Sequence, residues 1–422
     1  MAVRLTAAGM SAPLRDHRRQ LRLVVLLGAL SAFGPLSVDF YLPGLPRLTT
    51  HFAAPPWQGQ LTLTGCILGL AFGQVAFGPL SDRFGRRPPL LGGLVVYCAA
   101  SLACALAPSM TALIVFRLAQ GAAGSAGIVV ARSVVRDLAD GEAAIRLFSV
   151  IILVTGVVPA LAPAIGGVLL RITDWRGLFG VLAAIDATIL LAVLFGLQET
   201  LPQVRRRAGG HGVSMLAALL RDRFFVGYSV VLGLSFGAMF SYISGSSFVL
   251  ETIYGVSPQL YGVVFGMNAV GLVACSQLNR SLAGRLSPVT VLRVGVVGQS
   301  AAGAALLAIV VVGGVGLPGV LPCLFVTVAM IGLIAPNATA LALTDYPHAA
   351  GSASALLGAF QFAIGAAAAP LVGAAGLTAV PMGLTMTIFG VAALIAERIA
   401  RRVAPRVAPP AVVSEIVGSA HD

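Results

Sequence analysis

Three ionisable side chains sit where the surrounding sequence offers no water: Asp39 in SVDFYLPGLP, Arg117 in FRLAQGAAGSAG and Asp186 in VLAAIDATIL. A charge at the centre of a hydrocarbon layer costs roughly 2.5–3.5 kcal/mol on insertion scales, so each must pair, lose its charge or face water. Burial favours the neutral form of an acid, and a neighbouring cation favours the ionised form. A carboxylate held between those influences can carry a proton. Asp39 fits this if Arg117 is its partner, because a guanidinium does not deprotonate and needs an acceptor. Gln120, three residues beyond Arg117, shares its helix face. Two plainer readings stand beside these: an Asp39 hydrated at the outer surface, and an Arg117 bonded to main-chain carbonyls. Asp186 is either a second protonatable group or a neutral acid bonded to a neighbouring helix.

The elements that position these residues follow from composition. The chain has 422 residues, 58% hydrophobic and 10% charged, with a mean hydropathy of +0.96. Repeated apolar runs of about 20 residues imply an all-α membrane protein, since only helices or closed barrels satisfy their backbone in lipid. The pattern predicts twelve transmembrane helices, at about 22–44, 58–80, 88–107, 110–133, 145–170, 176–196, 223–249, 258–281, 289–312, 319–342, 352–376 and 381–400. They divide into two pseudo-symmetric six-helix bundles, 22–196 and 223–400. A cytoplasmic N-terminal segment (1–21), a linker (197–222) bearing Arg205, Arg206 and Arg207, and a tail (401–422) complete the chain. With the N-terminus inside, Arg47, Arg171 and Arg176 fall outside and Arg117 within the membrane. The rest of the 27 basic residues lie on the cytoplasmic side, as the positive-inside rule asks. That distribution assigns the net charge of +12 to the bilayer and argues against nucleic acid. Cys66, Cys98, Cys104, Cys275 and Cys323 show no ligand spacing, so they read as packing residues and no metal site is expected. His17, His51, His211, His348 and His421 all fall outside the expected spans. With no H-E-x-x-H, G-x-S-x-G or G-x-G-x-x-G pattern, an enzyme is not expected.

Between the second and third spans lies a tight polar stretch, GPLSDRFGRR, from Gly78 to Arg87. It must be a loop at the membrane surface, bent by Gly78 and Gly85. It resembles the helix 2–3 loop of the major facilitator superfamily, with Gly78, Asp82, Arg83, Gly85 and Arg86 at matching positions. The resemblance implies a conformational latch, in which Asp82 meets an Arg of the fourth span and Arg83 or Arg86 meets Asp137. ARSVVRDLADGE supplies Arg132, Arg136 and Asp137 for this. Gly284-Arg285 occupies the same place in the second half, a faint internal repeat. Gly121, Gly124 and Gly127 let another backbone approach the fourth span, whose R-x-x-q-G pattern also resembles this superfamily.

VVPALAPAIGG in the fifth span resembles the superfamily's antiporter signature at Pro163, Gly166 and Gly167, with Pro159 one turn earlier. Its earlier glycines are replaced by Val158 and Ala162. DFYLPGLP, YISGSSFVLETIYGVSP and PNATALALTDYPHAAGSASALLGAFQF resemble the bicyclomycin/chloramphenicol-resistance (Bcr/CflA) branch of drug:proton antiporters. That resemblance implies proton-driven export of a lipophilic drug across the bacterial cytoplasmic membrane, needing no cofactor beyond the proton gradient. It places Asp39 and Arg117 beside the drug, with Asp186 as a further coupling candidate. Tyr41, Gln120, Phe236, Phe240, Tyr242, Asn268, Asn337 and Gln361 are the expected cavity residues, and a monomer is expected. A proton-linked exporter of an endogenous metabolite would share the fold.

Overall fold

A computed structural model describes residues 17–138, 141–201, 218–344, 346, 350–373 and 378–403. Residues 1–16, 202–217 and 404–422 of the expected N-terminal segment, linker and tail lie outside the described residues, as do His211, His348, His421 and the side chain of Arg136.

The first expected span is not one helix. It is α1 (His17–Ser31), α2 (Phe33–Asp39), a 3₁₀ turn (Leu42–Gly44) and α3 (Leu45–His51), bent by 41°. Pro35, Pro43 and Pro46 remove backbone donors along this stretch, which is why apolarity alone misjudged it as continuous. The span therefore runs past the expected residue 44, and Asp39 falls on the last residue of a short helix.

The remaining rods are α4 (Pro56–Phe84), α5 (Arg87–Ala105), α6 (Met110–Leu138), α7 (Gly141–Leu169), α8 (Trp175–Gly196), α9 (Arg223–Ser247), α10 (Pro258–Leu282), α11 (Pro288–Val312), α12 (Leu317–Leu343), α13 (Ala350–Gly373) and α14 (Val380–Val403). A π-helical turn, Phe248–Ile253, extends α9 beyond the expected residue 249. Ten described helices are long and apolar enough to cross a membrane, eleven with the bent pair, and α7 contributes the shorter apolar helix Val157–Leu169. Helix starts follow local chemistry. Ser257 and Ser287 cap α10 and α11 ahead of Pro258 and Pro288, while Asp174 and Asp222 cap α8 and α9.

The core divides in three. At the end carrying the Gly85–Arg86 turn between α4 and α5, each bundle has its own cluster, one around Leu30, Phe33 and Tyr97 and one around Phe225, Leu292 and Ile334. At the opposite end a single cluster crosses between bundles, joining Tyr41, Leu45 and Phe179 to Tyr242, Phe248 and Tyr261. Hydrogen bonds cross there too: Gln60 to the Ser244 carbonyl at 3.4 Å, Thr64 to the Ala366 carbonyl at 3.1 Å, and Gln259 to the Gly167 carbonyl at 2.8 Å. The molecule is closed at the end remote from the loop.

Candidate functional site

Arg117 organises the interior of the first bundle. Helix α6 can lie against α4 because Gly121 meets the Cys66 carbonyl, where any side chain would collide with backbone. That contact carries Arg117 into the bundle, where it is 0% exposed. Nη1 donates to Gln120 and Nη2 to the main-chain carbonyl of Ser37. Its Cζ lies 4.4 Å from the Tyr41 ring centroid and 5.6 Å from that of Phe179, a desolvated cation–π arrangement worth about 2 kcal/mol. Gln120 donates onward to Ser101 at 2.7 Å, and Ser37 shares a 2.7 Å hydrogen bond with the Tyr97 hydroxyl. The Tyr41 hydroxyl is bonded to Thr62 at 2.7 Å. Among the described residues, Arg117's hydrogen-bond acceptors are neutral and Nε has no partner.

The expected Asp39–Arg117 pair is not formed. Ser37 and Tyr41, one turn apart, both face Arg117. Asp39 lies two residues from each, and positions two apart point away from one another on a helix. Arg117 thus takes the plainer option, a main-chain carbonyl. Asp39, 5% exposed, lies near the seam between the bundles, within electrostatic reach of Cys66 in the first half and of Tyr242 and Tyr261 in the second. Its Oδ1 has no hydrogen-bond partner. The helix-5 motif builds this seam. Gly167 abuts Pro258 and Gly262 of α10 abuts Ala164 across it, while Gly166 abuts the Phe40 carbonyl within the first bundle and Pro159 and Pro163 lie within α7.

In the second half, Asn268 donates to the Tyr242 hydroxyl at 2.8 Å, and Tyr242 stacks on Phe265 with centroids 5.4 Å apart. Phe240 is buried between Phe236 and Phe362, each at 6.4 Å, and Gln361 is half-buried. Asn337 does not join this group. It donates to Asn279 at 2.6 Å and to the Leu333 carbonyl, tying α12 to α10 near the loop end. Tyr41 and Gln120 are enclosed within the first bundle. Asp186 is 0% exposed, and among the described residues neither carboxylate oxygen has a hydrogen-bond partner. Cys98 lies beside it, but that thiol is turned to the Ala183 carbonyl at 3.7 Å.

At the loop end, Gly85 adopts φ +94°, a backbone state that disfavours any other residue. The turn delivers Arg86, whose Nε donates to Asp137 at 2.8 Å and whose Nη1 donates to Asp82 and to Ser81. Asp82, on the last turn of α4, pairs with Arg86, four residues on. Burial pulls the Arg86 guanidinium down, but its bonds to Asp137 and Asp82 outweigh this and hold it above its ordinary value. Of the two residues expected to reach Asp137, Arg86 does so, while Arg83 lies over Phe84. Arg132 is exposed on α6; Gly78, expected to bend a loop, lies inside α4 with open space around it, because the helix runs on through Pro79 to Phe84 and only Gly85 and Arg86 form the turn.

Reading the sequence missed Glu199, whose carboxylate accepts from the backbone of Arg86 (2.8 Å) and Arg87 (3.2 Å) at the start of α5. An acid just past the last apolar residue of the sixth span was its signal. Tyr97, Ser101 and Thr62 were missed because hydroxyls are common in apolar helices and nothing in their spacing marks them.

The profile of the Major Facilitator Superfamily matches residues 25–370. The chain is 38% identical to the "Uncharacterized MFS-type transporter YdgK" of Bacillus subtilis, covering 90% of this chain and 95% of that one. It is 31% identical to the "Bicyclomycin resistance protein homolog" of Haemophilus influenzae, covering 88% and 94%. It is 28% identical to the "Multidrug resistance protein MdtL" of Escherichia coli, covering 59% and 63%. Among solved structures, a bacterial homolog of the human lysosomal transporter Spinster, inward-facing and occupied, superposes with a TM-score of 0.74 at 14% identity, covering 92% and 98%. A D-xylose–proton symporter superposes at 0.70 and 17%, with the same coverage. These two likenesses concern the fold alone.

Proposed function

Because the chain belongs to the Major Facilitator Superfamily, we propose that it exports drugs of the bicyclomycin or chloramphenicol kind, or other lipophilic compounds, in exchange for protons. It does so as a monomer by alternating access in the bacterial cytoplasmic membrane. The Gly85–Arg86 turn and both termini are cytoplasmic, so the sealed end is the outer one. The printed names of two relatives, a bicyclomycin resistance homolog and a multidrug resistance protein, support this choice of substrate.

One observation carries the proposal. A buried acid with an unpartnered oxygen lies within electrostatic reach of both bundles, two residues from the carbonyl that holds a buried, permanently charged Arg117. A proton on Asp39 lets it stay neutral against the apolar seam while the outer end is shut. Losing that proton to the cytoplasm creates a carboxylate whose best partner is the Arg117 Nε. The broken segment between Asp39 and Leu45 is the joint about which it turns. Drug bound near Tyr242, Asn268 and Phe240 competes with this rearrangement, which couples the two fluxes. The bias comes from unequal affinity of the two states for proton and drug.

The test uses purified protein in liposomes with an imposed pH gradient. Adding chloramphenicol or bicyclomycin should release protons across the membrane at a rate that saturates with drug. No proton movement with either drug would overturn this reading.

A further inference from the structure

A proton bound for Asp39 must enter from the outer side, yet that side is packed shut by residues of both bundles. One carboxylate is built into the seal. Glu251 lies on the π-helical turn Phe248–Ile253, a backbone form that is rare and recurs at functional sites. Its side chain is half-buried, and Oε1 is closed to solvent without a hydrogen-bond partner. The groups facing it come from the elements packed on that turn. Arg47 of α3, from the other bundle, and Tyr261 of α10 both lie within electrostatic reach. Arg47 already donates to the Leu170 carbonyl at 3.2 Å. His51, the other titratable group of α3, is turned to Arg176 at 3.2 Å. Tyr242, on α9 itself, lies deeper.

Inward from Glu251 the structure supplies hydroxyls. The Tyr261 hydroxyl and Ser246 are 3.1 Å apart, and the Tyr242 hydroxyl accepts from Asn268 at 2.8 Å. Phe265 holds the two tyrosine rings together, 5.4 Å from Tyr242 and 6.0 Å from Tyr261. Both tyrosines lie within reach of the Asp39 charge. None of these groups is needed to hold Arg117, whose partners all belong to the first bundle.

We propose that Glu251 is the outer proton acceptor of this transporter, and that the hydroxyls of Tyr261, Ser246 and Tyr242 pass the proton on to Asp39. This rests on the proton-coupled reading above. When the seam opens, the Glu251 carboxylate takes a proton from outside water. Each hydroxyl then accepts one proton and releases one. The balance is a single proton moved: the acid of Glu251 becomes a carboxylate, and the carboxylate of Asp39 becomes an acid. Only O–H bonds form and break. The Glu251 carboxylate left behind attracts Arg47 across the seam and favours closure, so delivery of the proton and sealing of the outer end are linked.

The test compares wild type, Glu251→Gln, Glu251→Asp and Tyr261→Phe in liposomes with bicyclomycin as the probe. One readout is drug efflux driven by a pH gradient. The other is exchange of labelled for unlabelled bicyclomycin at equal pH, which needs alternating access but no net proton movement. Glu251→Gln should lower gradient-driven efflux by about a hundredfold and leave exchange at the wild-type rate. Glu251→Asp should restore part of the loss, and Tyr261→Phe should slow driven efflux alone. Driven efflux at the wild-type rate in Glu251→Gln, or parallel loss of both readouts, would overturn the proposal. A wild type that exchanges drug without moving protons would instead contradict the proton-coupled reading on which it rests.

Discussion

At the scale of single residues, the arrangement turns on what surrounds Arg117. Its partners are a side-chain amide, a carbonyl and two aromatic faces, all neutral. A flat, delocalised cation suits that setting and an ammonium does not, because lysine cannot both stack and donate along two directions. Arg117→Lys should therefore leave the protein folded in the membrane but reduce drug-driven proton flux by about tenfold or more, measured beside its thermal transition in detergent. Wild-type flux in that variant would remove Arg117 from the coupling scheme. Asp39, Arg117 and Asp186 were visible in the sequence because a charge inside an apolar run is costly and must pair, lose its charge or face water. Their mutual geometry was not. The bend at Ser31–Phe33 and the 3₁₀ turn at Leu42–Gly44 set which way Asp39 faces, and neither follows from hydropathy.

At the scale of elements, two contacts decide whether the first bundle holds its shape. The first is α4 on α6 at Gly121, where Cβ would meet the Cys66 backbone. Gly121→Leu should destabilise the protein by about 1–3 kcal/mol through overpacking, seen as a lower thermal transition with loss of transport. The second is the Arg86 cluster, in which one guanidinium joins the loop to α6 through Asp137, while Glu199 accepts from the first amides of α5. Asp137→Ala leaves a largely buried cation with only Asp82 and Ser81. A buried pair broken on one side costs about 3–5 kcal/mol, so this variant should unfold at lower temperature than Asp82→Ala, which removes an exposed partner. Equal transitions for the two would contradict this ranking. The loop motif and the small-residue spacing were legible, because glycine at a turn or a helix contact has a steric reason. The choice of Arg86 over Arg83 was not, since it depends on the turn that Gly85 sets at φ +94°.

At the scale of the whole molecule, one core joins the bundles at the end remote from the Gly85–Arg86 turn and separate cores stand at the end that carries it. That distribution suits two rigid halves rocking about a central site. The alternation of apolar spans was enough to foresee a many-helix membrane fold, of which ten or eleven spans are described; which end is shut depends on contacts between residues far apart in sequence. Thr64 and Ala366 meet across the closed seam at 3.1 Å. Cysteines at both positions, with Cys98, Cys275 and Cys323 replaced, should be joined by a short thiol-specific cross-linker. Joining them should abolish exchange of drug, and a cleavable linker should restore it. Persistent transport in the cross-linked protein would mean that the seam does not open. The most direct test of the central claim is drug-dependent proton flux in liposomes carrying wild type or Asp39→Asn, with drug exchange at equal pH measured in parallel. The account predicts proton flux in the wild type, none in Asp39→Asn, and exchange in both. Full proton-coupled export by Asp39→Asn would contradict it.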